Sequence, residues 1–285
     1  MRLSFHMILA AAIMAAGAGQ ALAQVNSQGA YGKVIRIDRN AFKPNAGRIT
    51  FAEKRLGSTN PVYRPADYGG DAKGITVSFG GFFVGQQLGN VAACPGGGAL
   101  TGCVTGKPSE PLSIDQSAPA TQTTNDRAAA ESPVLSGTPT FNGPVSMLFE
   151  PNIAGVGLQG GFFNAVKGTA IRAFDRSGRE IGGVVNLALG IEYMALVTED
   201  GSETIAGLQF SLVGPEPSGF AIDNLSFARR GDLQDSVAPA RSGVEANKPS
   251  GTLGDLFAKP AAPADTPAAS PARPSGGSLK DMFKH

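Results

Sequence analysis

The two histidines and two cysteines of this 285-residue chain limit the chemistry that it can perform. His6 lies near the N-terminus and His285 is the last residue, so the predicted folded body between them contains no histidine. Serine–histidine–aspartate and cysteine–histidine catalysis need histidine as the base, and most zinc and transition-metal sites use it as a ligand. The residue types therefore exclude these function classes.

Cys94 and Cys103 are the only cysteines, and they enclose the short segment Pro95–Gly102, which is rich in glycine and other small residues. In an oxidising compartment, this spacing predicts a local disulfide that pins a loop. The chain-entropy model gives a loop of this length about 2–3 kcal/mol of stabilisation. Redox activity is the alternative, and no CxxC spacing supports it.

Carboxylates are the remaining candidates for catalysis. A facing pair of acids suffices for glycoside hydrolysis, and Glu150, Glu192 and Asp175 are available. Each falls at a predicted strand end or in a turn, where a solvated acid is the ordinary explanation. The chain contains no Gly-x-Ser-x-Gly, Ser-x-x-Lys or phosphate-binding Gly-Lys-Ser/Thr sequence. We predict a non-enzymatic protein, with a carboxylate-based glycan-active enzyme as the minority alternative.

Aromatic rings and net charge limit the choice of ligand. Sugar sites usually stack sugar rings on aromatic faces, and the chain has four tyrosines and no tryptophan. Tyr63 and Tyr68, in a turn-rich segment, are the candidate glycan contacts, whereas residues 82–83 and 162–163, all phenylalanine, are predicted to belong to the core. With 24 basic and 23 acidic residues, the charge gives no case for nucleic acid. The predicted partner is an unknown protein or a cell-surface glycan.

Short β-strands must position these residues, because apolar and polar residues alternate through the body of the chain. The alternation is clear at residues 75–79, 145–149 and 208–212, and turn sequences separate the strands. One turn, residues 175–178, predicts a hairpin that joins residues 169–174 to 179–186. No helical periodicity appears between residues 49 and 227. The pattern predicts an all-β, antiparallel β-sandwich over residues 24–228, with a long polar loop insertion at about residues 89–140.

The end of this body carries a family resemblance. The sequence Gly219–Phe227 resembles the closing "GFxIDNLxF" strand of exported jelly-roll proteins, which include carbohydrate-binding-module-like domains and the sandwiches of many proteins with a PEP-CTERM sorting tail. The resemblance extends to residues 49–53, 74–85 and 173–178 in order, but the sorting tail itself is absent. It implies a jelly-roll fold, glycan binding as an alternative function, and a structural calcium ion held by Glu53 and Asp223. Hard oxygen ligands suit that ion.

Strand parity adds a prediction that does not depend on the family. Phe220 and Ile222 share one face of an ideal strand, whereas Leu225 and Phe227 share the other. The inward face must therefore slip by one residue between them, which predicts a β-bulge at residues 223–224. The alternative to calcium binding is that Asp223 caps a turn there and Glu53 is solvated.

The N-terminus predicts export. Met1–Ala23 has one early positive charge, an apolar run from Met7 to Ala18, and the small-x-small sequence Ala21–Ala23 before Gln24. This is the pattern of a cleavable signal peptide, and the run is too short for a comfortable membrane span. The prediction is a periplasmic or secreted protein with no membrane span after cleavage, and an uncleaved N-terminal anchor is the alternative.

The C-terminal residues 229–285 form a predicted disordered tail, because they are rich in proline, alanine and serine and low in aromatic residues. Within the tail, the heptapeptide at residues 251–257 returns at 277–283. Both copies begin with a capping-box-like Ser/Thr-x-x-Asp and place apolar residues at helical spacing. Such short helices need a surface to fold against, so they predict partner docking. The docking residues are Leu253, Leu256, Phe257, Leu279, Met282 and Phe283.

Overall fold

The computed structural model describes residues 25–71, 74–125, 133–217 and 220–237. These ranges form sixteen β-strands and five short 3-10 helices, with no α-helix among them. The strands are β1 (Ala30–Gly32), β2 (Val34–Arg36), β3 (Gly47–Ile49), β4 (Val62–Tyr63), β5 (Thr76–Gly80), β6 (Gln86–Leu88), β7 (Val104–Gly106), β8 (Thr121–Asn125), β9 (Pro133–Gly137), β10 (Val145–Ile153), β11 (Gly155–Phe163), β12 (Thr169–Phe174), β13 (Glu180–Val185), β14 (Gly190–Thr198), β15 (Ile205–Leu212) and β16 (Ala221–Ala228). The 3-10 helices are Arg39–Ala41, Pro65–Tyr68, Leu100–Gly102, Arg230–Asp232 and Asp235–Val237.

Two antiparallel sheets pack as a sandwich, which confirms the predicted fold class. The first sheet has the strand order β1-β13-β12-β15-β10-β5-β4, and the second has the order β2-β14-β11-β16-β9-β8, with β3 also paired to β16. Strands β6 and β7 form a separate two-stranded ribbon. Most neighbouring strands within a sheet are not consecutive in sequence, so the chain crosses repeatedly between the two sheets, and β12–β13 is the tight hairpin among the described pairs.

The core lies between the two sheets and follows the predicted alternation. Phe79 in β5, Met147 in β10 and Phe210 in β15 point inward, and all three are buried. From the second sheet, Leu158 and Phe227 fill the same cluster. Because a strand alternates its side chains between its two faces, one inward row from each strand is enough to build this core.

Two local predictions are confirmed. Strands β12 and β13 form the expected hairpin, in which the Asp175 amide donates to the Arg179 carbonyl at 2.9 Å. In β16 the register shifts where Gly157 pairs with Ser226 but Gln159 pairs with Asp223, so one residue of β11 opposes two of β16. The extra residue is at the predicted β-bulge, and Asn224 has a φ of 49° there.

The segment at about residues 89–140 lies between β6 and β10 and was predicted to be a long polar loop, but it contains three strands, of which β8 and β9 extend the second sheet. Strand β7 pairs with β6, β8 pairs with β9, and β9 joins β16 at the single pair Ile222–Leu135. The threonines of β8 pair through backbone hydrogen bonds, which require no apolar side chains. The sequence of this strand therefore shows no apolar alternation, and the strand was not predicted. Cys94 and Cys103 form the predicted disulfide, with their Cα atoms 6.1 Å apart.

The predicted leader, Met1–Ala23, and the two tail heptapeptides lie outside the described residues, as do the six apolar residues predicted to dock. Within the described ranges, no helix is long and apolar enough to cross a membrane.

Candidate functional site

The outer face of the second sheet is covered over only half of its length. At one end, Phe42, Leu233 and the segments around them pack on Ala195, Val197 and Ala228, which are outward-facing residues of β14 and β16. The guanidinium of Arg39 lies 4.7 Å from the ring centroid of Tyr193 and marks the end of this cover. Beyond Tyr193, the outer face is open.

A groove of about 310 Å³ occupies the open half of this face. Its floor is the glycine-rich end of β11, where Gly160 and Gly161 contribute backbone alone and Gly161 has no side chain on the side of Ile191. The described residues that line it are Val134, Phe141, Gln159, Gly160, Gly161, Phe162, Ile191, Ala221, Ile222 and Asp223. The groove is thus mostly apolar, with one amide and one carboxylate among its lining side chains, which is the usual composition of a small-ligand site.

Phe162 is the exposed aromatic ring of the groove, because 62% of the residue is accessible to solvent. Its neighbour Phe163 is 1% exposed and packs against Phe210 in the core, with ring centroids 6.1 Å apart. The prediction that both rings belong to the core is therefore wrong for Phe162. Consecutive residues of one strand face opposite sides, so parity indicates that one of the two rings faces outward, whereas the register shift between Gly160 and Phe163 decides which one. By contrast, Phe82 and Phe83 are both buried, as predicted.

The polar side of the groove is a row of side chains across three strands. Gln159 in β11 pairs directly with Tyr193 in β14 and with Asp223 in β16. The Nδ2 of Asn224 donates to the Gln159 Oε1 and, at 2.8 Å, to the Asp223 Oδ2. The bulge therefore presents an ordered amide and carboxylate beside the Phe162 ring, and this position depends on the left-handed backbone at Asn224.

A buried carboxylate holds the turn that follows Phe163. Glu216 is 0% exposed, and its Oε2 accepts hydrogen bonds from the amides of Asn164 at 2.8 Å and Ala165 at 3.0 Å. Its Oε1 accepts a third from the Asn164 Nδ2 at 3.2 Å. Sequence analysis gave Glu216 no role, because nothing along the chain links it to residues fifty positions earlier. It is a positioning residue for the end of β11.

Glu53 and Asp223, the predicted calcium ligands, are not brought together as a metal site by any contact within the described residues. Glu53 accepts hydrogen bonds from the amide and hydroxyl of Thr50, and Asp223 accepts from Asn224. No group of three or more histidine, cysteine, aspartate or glutamate side chains in the described ranges could hold a metal ion. Calcium binding therefore stays a prediction from the resemblance.

Tyr63 and Tyr68 do not form the predicted glycan platform. Tyr63 is 0% exposed and packs edge-on against Phe51 and Phe79 in the core. Tyr68 is half-buried against Phe227, and its hydroxyl donates to the Ile75 carbonyl at 2.6 Å. The prediction was wrong because the turn-rich segment that contains both residues folds back over the edge of the core.

We expect Tyr63→Phe to raise the free energy of unfolding by about 1 kcal/mol. The Tyr63 hydroxyl is buried and has no hydrogen-bond partner in the described part of the chain, so its removal relieves a desolvation cost. The same burial, followed by the charges of Glu53 and Asp67, raises the pKa of Tyr63. Urea unfolding measures the difference, with Tyr68→Phe as the control that removes a satisfied hydroxyl. A loss of stability in Tyr63→Phe as large as that in Tyr68→Phe would contradict this reading.

The three candidate catalytic acids are occupied by other groups and do not face each other across the groove. Glu150 pairs with Arg176 at 3.2 Å, Glu192 pairs with Arg36, and Asp175 pairs with Arg179 at 2.7 Å. Partial burial raises the pKa of Asp175, but hydrogen bonds from Ser177 and Arg179 outweigh it, so the net shift is downward. Among the described lining residues of the groove, Asp223 is the one carboxylate.

Comparison with protein-family models, curated proteins and solved structures finds no match to the chain. The resemblance to exported jelly-roll proteins therefore stays a prediction, and the geometry of the groove is the basis for any functional proposal.

Proposed function

We propose that the protein is an exported, non-enzymatic β-sandwich module that binds its ligand in the groove on the outer face of the second sheet. The observation that carries the proposal is the exposed Phe162 ring beside Gln159 and Asp223, on a rigid sheet rather than on a loop. A concave, mostly apolar site with a few converging polar groups is the usual form of a ligand site, and the exposed ring offers a ligand an apolar face. Export is supported by the leader sequence and by the disulfide.

A glycan is the ligand class that these side chains favour. A sugar ring presents one apolar face, which would stack on Phe162, and hydroxyl groups, which would bond to the Gln159 amide and the Asp223 carboxylate. This second, narrower proposal moves the glycan contacts from Tyr63 and Tyr68 to the groove. Asp223 is the one carboxylate among the described lining residues, which favours binding over hydrolysis, because glycoside hydrolysis by carboxylates needs two.

A fragment screen tests the groove without presuming its ligand. We expect small amphipathic fragments to shift the backbone amide resonances of residues 159–161 in ¹⁵N-labelled protein, and Phe162→Ala to weaken the best binder about tenfold or more. Leu56→Ala is the matched control, because Leu56 is 60% exposed but lies outside the groove. Fragments that bind equally well to the wild type and Phe162→Ala, or that shift no groove amide, would contradict the proposal.

Affinity electrophoresis on gels with soluble xylan, mannan or pectin, run beside a glycan array, separates the glycan from other ligands. If the glycan retards the wild type and Phe162→Ala abolishes the retardation, the ligand is a glycan. If fragments bind the groove but no glycan does, the glycan proposal is wrong. The docking of the tail heptapeptides to a partner and a calcium-dependent melting temperature remain separate proposals. A melt with calcium and with chelator tests the second, using Glu53→Gln and Asp223→Asn.

A further inference from the structure

Exposed apolar side chains are concentrated at one end of the sandwich. Of the ten large apolar residues that are exposed in the described ranges, half belong to two neighbouring turns and the strand ends beside them. We name this set the apolar tip, and its members are Phe162, Val166, Leu187, Leu189 and Ile191. The turns follow β11 and β13, and both cross from one sheet to the other.

Backbone contacts place the two turns side by side. Phe163 pairs with Gly190 in the sheet, and the Lys167 amide donates to the Asn186 carbonyl at 2.8 Å. The ring of Phe162 lies 3.7 Å from the position that a Cβ would take on Gly190. The apolar tip is therefore one continuous surface and not a set of scattered residues.

Several backbone groups of the tip are bonded from within the protein. Glu216 accepts the amides of Asn164 and Ala165, and Glu192 accepts those of Leu187 and Ala188 at 2.7 and 2.8 Å. The Nδ2 of Asn186 donates to the carbonyl groups of Ala165 and Ala188. A turn that enters hydrocarbon must satisfy its own backbone, because no water is present there to do so.

The charges of the tip favour a lipid surface. Lys167 is the one charged residue in segments 162–168 and 186–191, and it is exposed at the turn. Three acids lie near the tip: Glu192 pairs with Arg36, Glu216 is fully buried, and the groove carboxylate Asp223, beside Phe162, accepts hydrogen bonds from Asn224. A single lysine on a long apolar stem can reach the phosphates of lipid headgroups while its neighbours lie deeper.

The size of the tip argues against a stable protein interface. Five side chains of these types at these exposures present roughly 500 Å², whereas each partner in a standard interface buries about 800 Å². Turns with a small apolar area, no acidic side chain of their own and one basic residue match the requirements for shallow insertion at a membrane surface.

We propose that the apolar tip inserts reversibly into a lipid surface, with Lys167 at the level of anionic headgroups. This membrane contact goes beyond the ligand proposed for the groove and does not depend on it. It would bring the open end of the groove close to the bilayer, because Phe162 and Ile191 belong to both surfaces.

The absence of tryptophan from the chain allows a direct test. We expect the single indole of Leu189→Trp, in the chain from Gln24 to His285, to shift its emission to the blue with phosphatidylcholine vesicles that contain about 20 mol% phosphatidylglycerol. Brominated lipid should quench that emission. In the matched control Leu56→Trp, which carries the indole at an equally exposed site outside the tip, the emission should not respond.

Vesicle co-sedimentation supplies the second measurement. The double variant Leu187→Ser/Leu189→Ser should bind about tenfold or more weakly, and Lys167→Gln should lose the preference for anionic vesicles. Both changes are on exposed residues, so unchanged thermal melts confirm that the variants fold. Gln159→Ala should keep full vesicle binding even if it loses groove ligands.

Three results would overturn the proposal. The first is an unchanged Leu189→Trp emission with every vesicle, and the second is an equal response from Leu56→Trp. The third is a concentration-dependent dimer, seen by sedimentation velocity, that the double serine variant dissociates, because this would assign the tip to a second copy of the chain.

Discussion

Replacing Glu216 by alanine is expected to lower the free energy of unfolding by about 3–5 kcal/mol. The side chain is fully buried, and three donors from residues 164 and 165 bond to its two oxygens. Alanine takes away that charged acceptor and leaves a space that water cannot readily fill. Urea unfolding of the wild type and the variant, followed by circular dichroism, measures the loss.

A matched variant distinguishes the stability lost with the buried hydrogen-bond acceptor from the stability lost by removing any negative charge. Glu199→Ala removes an exposed carboxylate that has no side-chain bond or ion pair within the described ranges, and its effect should stay within about 0.5 kcal/mol. Glu216→Gln, which keeps the shape and one acceptor oxygen, should fall between the two. If Glu216→Ala costs no more than Glu199→Ala, the carboxylate does not hold the turn.

The adjacent phenylalanines of β11 should behave as opposites. Phe163→Ala removes a ring packed against Phe210 in the core and should cost about 3–5 kcal/mol of stability. Phe162→Ala removes a solvent-exposed ring and should cost less than about 0.5 kcal/mol. Ligand affinity should change in the opposite way: Phe162→Ala should lose much more affinity than Phe163→Ala for any compound that binds the groove.

Denaturant unfolding and fragment titration on the same two proteins test this pair. A Phe162→Ala variant as destabilised as Phe163→Ala would mean that the ring supports the fold and is not displayed for a ligand. A Phe163→Ala variant that still folds at low temperature should retain groove binding, because its ring points away from the groove.

Strand parity was the part of the site that sequence could specify. The slip between Ile222 and Leu225 predicted the bulge, which orients Asp223 and Asn224 next to the groove. Parity also implies that one member of the pair Phe162–Phe163 faces outward, although composition alone assigned both to the core. The tyrosines failed as predictions because turn composition does not reveal whether a turn folds back over the core, as the one containing Tyr63 does.

By itself, the sequence determined the period-two alternation that makes a sandwich, the hairpin at Asp175, the disulfide pair and the absence of histidine from the folded body. These are local properties, since the spacing of residues along a strand or loop is enough to specify them. Only the tertiary structure decided which outer faces are covered. Residues 82 and 83 are both buried because distant segments pack over them, whereas nothing in the described chain covers Phe162. The same long-range packing brings Glu216 to the turn after β11, because a contact between residues fifty positions apart depends on the whole fold and leaves no local pattern.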